Sequence, residues 1–475
     1  MSLKNLGRES LIYGLGHVMA RFITFLLLPF YTHVFTTEEY GAVSLAYAFI
    51  GFALIVYKYG MDTALMKYGV QKLNLDRSKH ITVILIIQVL TSFAFSLLLY
   101  LFKELFAPIV LGLDRPEWIT YLSIILFLDS IWNLPLIILR TENKATAYIL
   151  ISLLNVTLTM LFNISFIVKA GYGVEGVFLS NIVSSLLILL VSTKTIYNNM
   201  KFEQFDINIL KKVLRFGLPF LPAGIFTMIM ELSDRYILNI FLGVDDVGLY
   251  SAGKKLGMLG LTVVMAFNMG WTPYFLKRGQ SKGAKLEFAS IGTVFFGGLG
   301  YACMLVILWL PEIIRLTFFG KTLIGEQFWG CESVVNSILI GYFFFGCYLI
   351  QLPGIYIKNL TKWVPIFRII GALAVVFFSL VLIPKFGING AAYSITIAFF
   401  LMSLSIYIKL RKIYVIPFDW KSVLLPIVFL LIAQMNFEHI LIRFSLCIFF
   451  PILWFLIILN ENQKNKLKEI IKWSL

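Results

Sequence analysis

Fourteen apolar segments of about 20 residues run through the chain, and their length is what an α-helix needs to cross a bilayer. Lipid offers no hydrogen-bond partner to the backbone, so helices are the natural form for such segments. The pattern predicts an all-α polytopic membrane protein with about 14 transmembrane helices. The predicted spans are residues 10–35, 40–62, 80–102, 117–139, 146–168, 174–194, 214–242, 247–275, 288–310, 332–356, 362–384, 388–410, 421–437 and 439–459.

The connections between these spans alternate in basic residues. Of the 40 Lys and Arg residues, 27 fall in one set of alternating connections and both termini, and 6 fall in the other set. Basic loops stay in the cytoplasm, so both termini are predicted to be cytoplasmic. A hydrophobic fraction of 59% excludes an ordinary soluble domain. The net charge of +15 follows from the basic loops beside anionic headgroups and does not indicate nucleic acid.

Three short matches indicate that the chain contains a repeat. Residues 38–44 (EEYGAVS) resemble 245–251 (DDVGLYS), residues 173–180 (GVEGVFLS) resemble 387–394 (GINGAAYS), and a weaker match sets 140–144 beside 358–362. Each match falls in the same connection of its half. We therefore expect a repeat of six helices, and an even number of helices preserves orientation in the membrane.

The repeat predicts a domain organisation. Residues 1–198 form an N-terminal six-helix lobe, and 214–412 form a C-terminal six-helix lobe, related to the first by an axis along the membrane normal. Residues 199–213 form a cytoplasmic linker with an amphipathic helix, for which Asp206 is the expected N-cap. Residues 413–475 add helices 13 and 14 and a basic tail. Two such lobes leave a central cleft between them, which is typical of alternating-access transporters.

Charges inside apolar segments are costly and usually functional. The cations can bind a phosphate or pyrophosphate group through charge-assisted hydrogen bonds. The acids are candidates for ion coupling or for charge pairing. The candidate cavity cations are Arg21, Lys58, Arg235, Lys254 and Arg368, and the acids are Asp62, Asp129, Glu231 and Asp234.

Some of these charges have a simpler interpretation. Lys58 with Asp62, and Glu231 with Arg235, are four residues apart and can neutralise each other on one helical face. Arg368 can extend its head to the cytoplasmic interface. Arg21 lies near the midplane and has no acidic partner on its own segment, so its compensation must come from elsewhere.

No sequence pattern indicates catalysis. The chain has no nucleotide-binding glycine loop, no histidines at metal-ligand spacing and no large extramembrane loop, and its four cysteines show no metal or disulfide pattern. We therefore expect no enzyme activity, no metal and no cofactor.

Two stretches resemble a known family. Arg21 followed by residues 35–41 (FTTEEYG), and residues 233–238 (SDRYIL) followed by 247–256 (VGLYSAGKKL), resemble bacterial polysaccharide flippases of the Wzx type. These belong to the multidrug/oligosaccharidyl-lipid/polysaccharide exporter superfamily. The resemblance covers essentially the whole chain.

The resemblance implies a function. Such flippases move undecaprenyl-pyrophosphate-linked oligosaccharide repeat units, such as those of O-antigen, from the cytoplasmic to the outer leaflet of the bacterial inner membrane by alternating access through a cationic cavity. The expected partners are the polyprenyl-pyrophosphate-linked glycan, the bilayer, H⁺ or Na⁺, and polysaccharide polymerase and chain-length proteins, with no nucleic acid. A lipid-linked peptidoglycan precursor flippase and a drug/cation antiporter of the same fold remain alternatives.

Overall fold

The computed structural model describes residues 23–70, 74–201, 205–318, 320–435, 437, 439–461, 463 and 464, together with Gly16 and Met19. Within these ranges the chain is helical almost throughout. Eleven helices are long and apolar enough to cross a membrane. Within the described residues each of the fourteen predicted spans overlaps one or two helices, which confirms the all-α polytopic fold.

The chain divides into two compact units, residues 1–251 and 252–475. The first unit contains ten helices within its described residues and the first turns of α11. Their bounds are α1 Ile23–Val34, α2 Thr37–Lys58, α3 Met61–Tyr68, α4 Asn74–Leu101, α5 Lys103–Leu111, α6 Pro116–Thr141, α7 Ala145–Ile164 with a π-helical turn at Ser165–Lys169, α8 Gly173–Asn199, α9 Ile207–Gly217 and α10 Phe220–Leu242.

The second unit begins within α11, which spans 35 residues. In this unit α13 and α14 both pack on α15, and α12 packs on α13 and α16. The bounds are α11 Val244–Arg278, α12 Ala284–Arg315, β1 Thr317–Phe318, β2 Lys321–Thr322, a 3₁₀ turn Glu326–Cys331, α13 Glu332–Ile357, α14 Trp363–Phe386, α15 Ile388–Leu410, α16 Lys421–Ala433, α17 Ile440–Leu453 and a π-helical turn Trp454–Ile458.

The second predicted span is not one continuous helix. α2 ends at Lys58, Tyr59 and Gly60 have φ of 31° and 84°, and α3 begins at Met61. The break brings Gly60 against α9, where a Cβ on Gly60 would lie 2.0 Å from the carbonyl oxygen of Gly217. The prediction that Lys58 and Asp62 share one helical face is therefore wrong, because that face ends between them.

The predicted amphipathic linker helix is present as α9. Asp206 caps it, since its Oδ1 accepts a hydrogen bond from the Asn208 backbone N–H at 2.7 Å. Its apolar face packs on protein: Val213 is fully buried in a core shared with Met61, Leu65 and other residues of α3, α4 and α6. α9 is thus a docked part of the first unit.

The second sequence match corresponds to the same local structure in both halves. Gly173 and Gly387 adopt φ of 56° and 58° where α8 and α15 begin. At the end of each motif the same hydrogen bond recurs: Ser180 Oγ donates to the Gly176 carbonyl at 2.5 Å, and its counterpart Ser394 Oγ donates to the Gly390 carbonyl at 2.7 Å. The repeat is therefore visible in backbone and side-chain geometry.

The register of the third match needs correction. Asn143 and Asn359 are both left-handed, with φ of 59° and 54°. Each is followed by the same closing bond, from Lys144 N to Leu139 O at 2.9 Å and from Leu360 N to Ile355 O at 2.8 Å. Both helices end in this Schellman geometry. The equivalent residues are 216 apart, two fewer than the pairing of Arg140 with Lys358 implies.

Candidate functional site

Asp129 lies on α6 in the interior of the first unit. Ser185 Oγ, from α8, donates to its Oδ1 at 2.6 Å, and Trp132 Nε1 donates to the same atom at 2.8 Å. Among the described residues no hydrogen bond ends on Oδ2. A carboxylate held through one oxygen keeps the other free to take a proton or a cation.

Lys58 and a tyrosine complete this polar group. Lys58, at the end of α2, is within electrostatic reach of both Asp62 and Asp129. Tyr47, also on α2, lies beside Asn181 of α8 and within electrostatic reach of Asp129. The structure therefore places two predicted residues of opposite charge, Lys58 and Asp129, within electrostatic reach of each other, with neutral neighbours from two helices, α2 and α8. We call Tyr47, Lys58, Asp129, Asn181 and Ser185 the Asp129 cluster.

A second buried polar group was missed by sequence reasoning. Gln88 of α4, fully buried, donates to the Tyr57 carbonyl at 2.7 Å and to Ser92 Oγ at 2.9 Å. Ser130 of α6 donates to Ser92 at 2.8 Å. The sequence signal was the spacing of Gln88, Ser92 and Ser96 at every fourth residue, which places all three on one helical face.

Asp62 and the acids of α10 have different environments. Asp62 Oδ1 accepts from the Thr63 N–H at 2.7 Å. Asp234 is fully buried; Tyr250 Oη donates to its Oδ2, and the Arg235 N–H donates to its Oδ1 at 3.0 Å. Both oxygens of Asp234 are thus engaged. Glu231 is exposed.

Arg235 is half-buried, with its Nε enclosed and making no hydrogen bond among the described residues. Its head group also lies within electrostatic reach of Tyr236. An enclosed guanidinium nitrogen of this kind can bind an anionic group.

The first sequence match forms a close contact inside the first unit. Gly41 on α2 and Gly248 on α11 hold equivalent positions in the two motifs, and they touch: a Cβ on Gly41 would lie 2.0 Å from the Val244 carbonyl oxygen. A Cβ on Gly248 would lie 1.8 Å from the Thr37 carbonyl oxygen. Thr37 Oγ1 donates to Asp245 Oδ1 at the same crossing. Only glycine permits the helices to approach this closely.

The remaining predicted cations lie in the second unit or outside the described residues. Lys254 is buried, with 7% of its surface exposed, whereas its neighbour Lys255 is half-buried. Arg368 on α14 is half-buried and within electrostatic reach of Tyr348 on α13. Arg21 lies outside the described residues.

A charged cluster closes one end of the helices in the first unit. Arg77 donates to Glu142 at 2.8 Å, to Asn199 at 2.8 Å and to the Gly69 carbonyl at 2.7 Å, and Lys144 pairs with Glu142 at 2.8 Å. Burial alone would raise the pKa of Glu142, but the hydrogen bonds from Lys144 and Arg77 outweigh it and hold that pKa below its ordinary value. This cluster is structural.

The comparisons with known proteins decide the family. The family model described as "Polysaccharide biosynthesis protein" matches residues 6–278, which is more than half of the chain. The chain belongs to this family. A Haemophilus influenzae protein of the Lsg locus is 23% identical over 412 residues, covering 83% of this chain and 98% of that protein. A Shigella flexneri protein named "Putative O-antigen transporter" is 25% identical over 259 residues, covering 51% of this chain and 57% of that protein.

Two solved structures share the fold. The lipid II flippase MurJ, in an inward closed conformation, has a TM-score of 0.73 at 15% identity, covering 94% of this chain and 98% of its own. An inward-facing multidrug transporter of the MATE family has a TM-score of 0.62 at 17% identity, covering 87% and 94%. Together with the family match, these findings confirm the predicted membership of the exporter superfamily and a transporter class rather than an enzyme class.

Proposed function

We propose that this protein is a flippase that moves undecaprenyl-pyrophosphate-linked oligosaccharide repeat units from the cytoplasmic to the outer leaflet of the bacterial inner membrane. The family match over residues 6–278 carries this proposal. The O-antigen transporter named among the relatives supports the substrate class. The distribution of basic residues supports a chain whose termini both lie in the cytoplasm.

The proposed pathway is a cationic cavity between two six-helix lobes, residues 1–198 and 214–412. Arg21, Lys58, Arg235, Lys254 and Arg368 are the proposed ligands of the pyrophosphate. Supporting this role, the Nε of Arg235 is enclosed without a hydrogen-bond partner among the described residues, as stated above. Polysaccharide polymerase and chain-length proteins are the proposed partners, since they would receive the translocated unit.

The Asp129 cluster is the proposed site of ion coupling. Asp129 has one oxygen engaged and one available, whereas both oxygens of the rival Asp234 are held. A proton or Na⁺ on Asp129 cancels the carboxylate charge that Lys58 experiences. Lys58 then keeps the compensation of Asp62 alone, which favours the binding of an anionic substrate beside it. Ion binding and pyrophosphate binding are thereby coupled through one lysine.

The first experiment deletes the gene in a strain with the native glycan pathway and determines which leaflet holds the undecaprenyl-linked glycan. We expect accumulation on the cytoplasmic side, rescued by wild type and by the exposed control Arg115→Ala but not by Arg21→Ala. Arg21→Lys retains activity if charge alone is needed, and loses it if bidentate geometry is needed. Normal surface glycan after deletion, in a strain without a second flippase, would refute the proposal.

The coupling site is tested by Asp129→Asn, with Asp114→Asn on an exposed loop as the matched control. We expect the Asp129 variant to transport about tenfold more slowly, the size of a lost charge-assisted interaction. It should also lose the dependence of transport on the proton or Na⁺ gradient. A variant that keeps wild-type gradient dependence would remove Asp129 from the coupling role.

The MurJ-like fold makes a peptidoglycan precursor flippase the second candidate. Complementation of a strain depleted of its own precursor flippase would support that candidate and contradict the oligosaccharide assignment. A drug/cation antiporter predicts instead that expression of this chain raises drug resistance without any effect on surface glycan.

A further inference from the structure

The second unit contains an apolar cavity of about 280 Å³. It is enclosed by α12, α13, α15, α16 and the segment 411–420 that joins the last two helices. Its volume is close to the lower end of the range of about 300–1,000 Å³ typical of small-molecule sites. The wall is largely aromatic and aliphatic, formed in part by Phe296, Phe344, Phe400, Phe418, Trp420 and Leu424.

One end of this cavity is polar. Gln351 and Ser403 line it, and Gln351 Nε2 donates to the Cys347 carbonyl at 2.8 Å. A smaller cavity of about 110 Å³ continues from this end, because Gln351 and Phe418 line both; it adds Arg411 and Tyr414 to the lining. The two cavities are therefore neighbours that share a wall, and we call the pair the channel, with the smaller cavity as its mouth.

Tyr414 at this mouth is 95% buried, with 5% of its surface exposed, yet its hydroxyl makes no hydrogen bond among the described residues. A buried hydroxyl without a partner is costly. A ligand with a carbonyl or phosphate oxygen at the mouth of the channel would supply the missing acceptor.

The rim of the channel is basic and aromatic. Arg411, Lys412 and Lys421 are exposed around it, and Lys285 Nζ lies 4.8 Å from the centre of the Tyr414 ring. Trp420 is 57% exposed and packs edge-on against Tyr407. Exposed Trp and Tyr beside Lys and Arg are typical of the headgroup level of a bilayer, and the basic rim attracts anionic lipid.

We propose that this channel binds one molecule of an anionic membrane phospholipid, with an acyl chain in the apolar cavity. Its phosphate pairs with Arg411, and the Tyr414 hydroxyl donates a hydrogen bond to an ester carbonyl or phosphate oxygen of the lipid. The walls are Phe, Leu and Trp side chains of packed helices in one unit, so the site is suited to a resident lipid. The proposal does not depend on which glycan is transported.

The test uses the purified full-length protein in detergent, with phosphatidylglycerol as the probe and phosphatidylcholine, whose zwitterionic headgroup has no net charge, as the control. Binding is measured by native mass spectrometry and by the rise in Tm on lipid addition. We expect phosphatidylglycerol to bind and to raise Tm more than phosphatidylcholine does. The double variant Arg411→Gln/Tyr414→Phe should weaken phosphatidylglycerol binding about tenfold, and Leu404→Trp, which fills the cavity from α15, should also weaken it.

Lys358→Gln, an exposed cation outside the lining, is the matched control and should bind as wild type does. Equal binding of both lipids would overturn the role of the basic rim. Wild-type binding by the Leu404→Trp variant, if its Tm without lipid is unchanged, would overturn the cavity as the site. Binding of undecaprenyl phosphate but not of phosphatidylglycerol would assign the channel to the transported lipid and refute the resident-lipid proposal.

Discussion

Replacing Gly41 or Gly248 by alanine tests the close contact between the two repeated motifs. In either case the new Cβ would meet a backbone carbonyl oxygen, at 2.0 Å from Val244 or at 1.8 Å from Thr37. Carbon and carbonyl oxygen normally approach to about 3.3 Å. The starts of α2 and α11 must therefore separate by more than about 1 Å, because backbone, unlike the end of a side chain, cannot rotate away.

The expected loss of stability follows from two opposing effects. Overpacking costs about 1–3 kcal/mol. Because the atom met is a backbone carbonyl oxygen that cannot rotate away, we expect a cost at the upper end of that range. Alanine regains about 1 kcal/mol as the better helix former. The net loss in the free energy of unfolding is about 2 kcal/mol, which lowers Tm by about 4–8 °C for a unit of 251 residues.

The measurement is Tm of the purified variants in detergent, with Gly270→Ala as the matched control. Gly270 is also on α11, but nothing lies within 4 Å of its Cβ position, so that variant should match or exceed wild type. The Gly41→Ala/Gly248→Ala double variant should lose less than the sum of the single losses, since one separation relieves both overlaps. Equal Tm for the Gly248→Ala and Gly270→Ala variants would refute the close crossing.

Two further predictions concern the first unit. Because the folded-state pKa of Glu142 lies below the ordinary value of 4.5, its two basic partners stabilise the fold above that pH, and this contribution is lost as pH falls through the lowered pKa. The Tm advantage of wild type over Glu142→Gln should therefore hold from neutral pH down to the ordinary value of 4.5 and shrink as the pH falls below it, and a difference that stays constant below that pH would contradict the pairing. Gly60→Ala should lower Tm more than Gly283→Ala does: both glycines have φ near 85°, but only Gly60 meets backbone, at Gly217. Equal losses would show that the α3–α9 contact is loose.

The helices themselves were predictable because apolar length alone specifies a membrane span. The N-cap of α9 was equally local: Asp206 precedes an apolar and basic run, and the carboxylate needs only the next two residues to act as a cap. The interruption at Gly60 was not predictable. An isolated glycine is tolerated within a helix, and the close backbone contact made at the break is with Gly217, which is 157 positions away in sequence.

The site shows the same division between local and distant causes. Lys58 and Asp129 stand out in sequence because charges are rare in apolar segments. Their neighbours do not: Ser185 is one of several serines on α8, and only the packing of α6 on α8 selects it as the partner of Asp129. The repeat matches could be recognised from residue identities, but the third match was two positions out of register. The two copies differ in most side chains there, and what they share is the left-handed backbone conformation of Asn143 and Asn359.

The docking of α9 limits how the chain can move on either side of it. A linker that lay free on the membrane would be flexible and could absorb a displacement of the helix that follows it. Here the linker cannot absorb such a displacement, because Val213 of α9 is buried in the core and only Leu218 and Pro219 separate α9 from α10. A tilt of α10 must therefore change the backbone dihedral angles of these two residues or separate α9 from the core on which it packs. Because the connection is short and α9 is packed in the core, a movement of α10 that these two residues do not absorb is transmitted through α9 to α3 and α4.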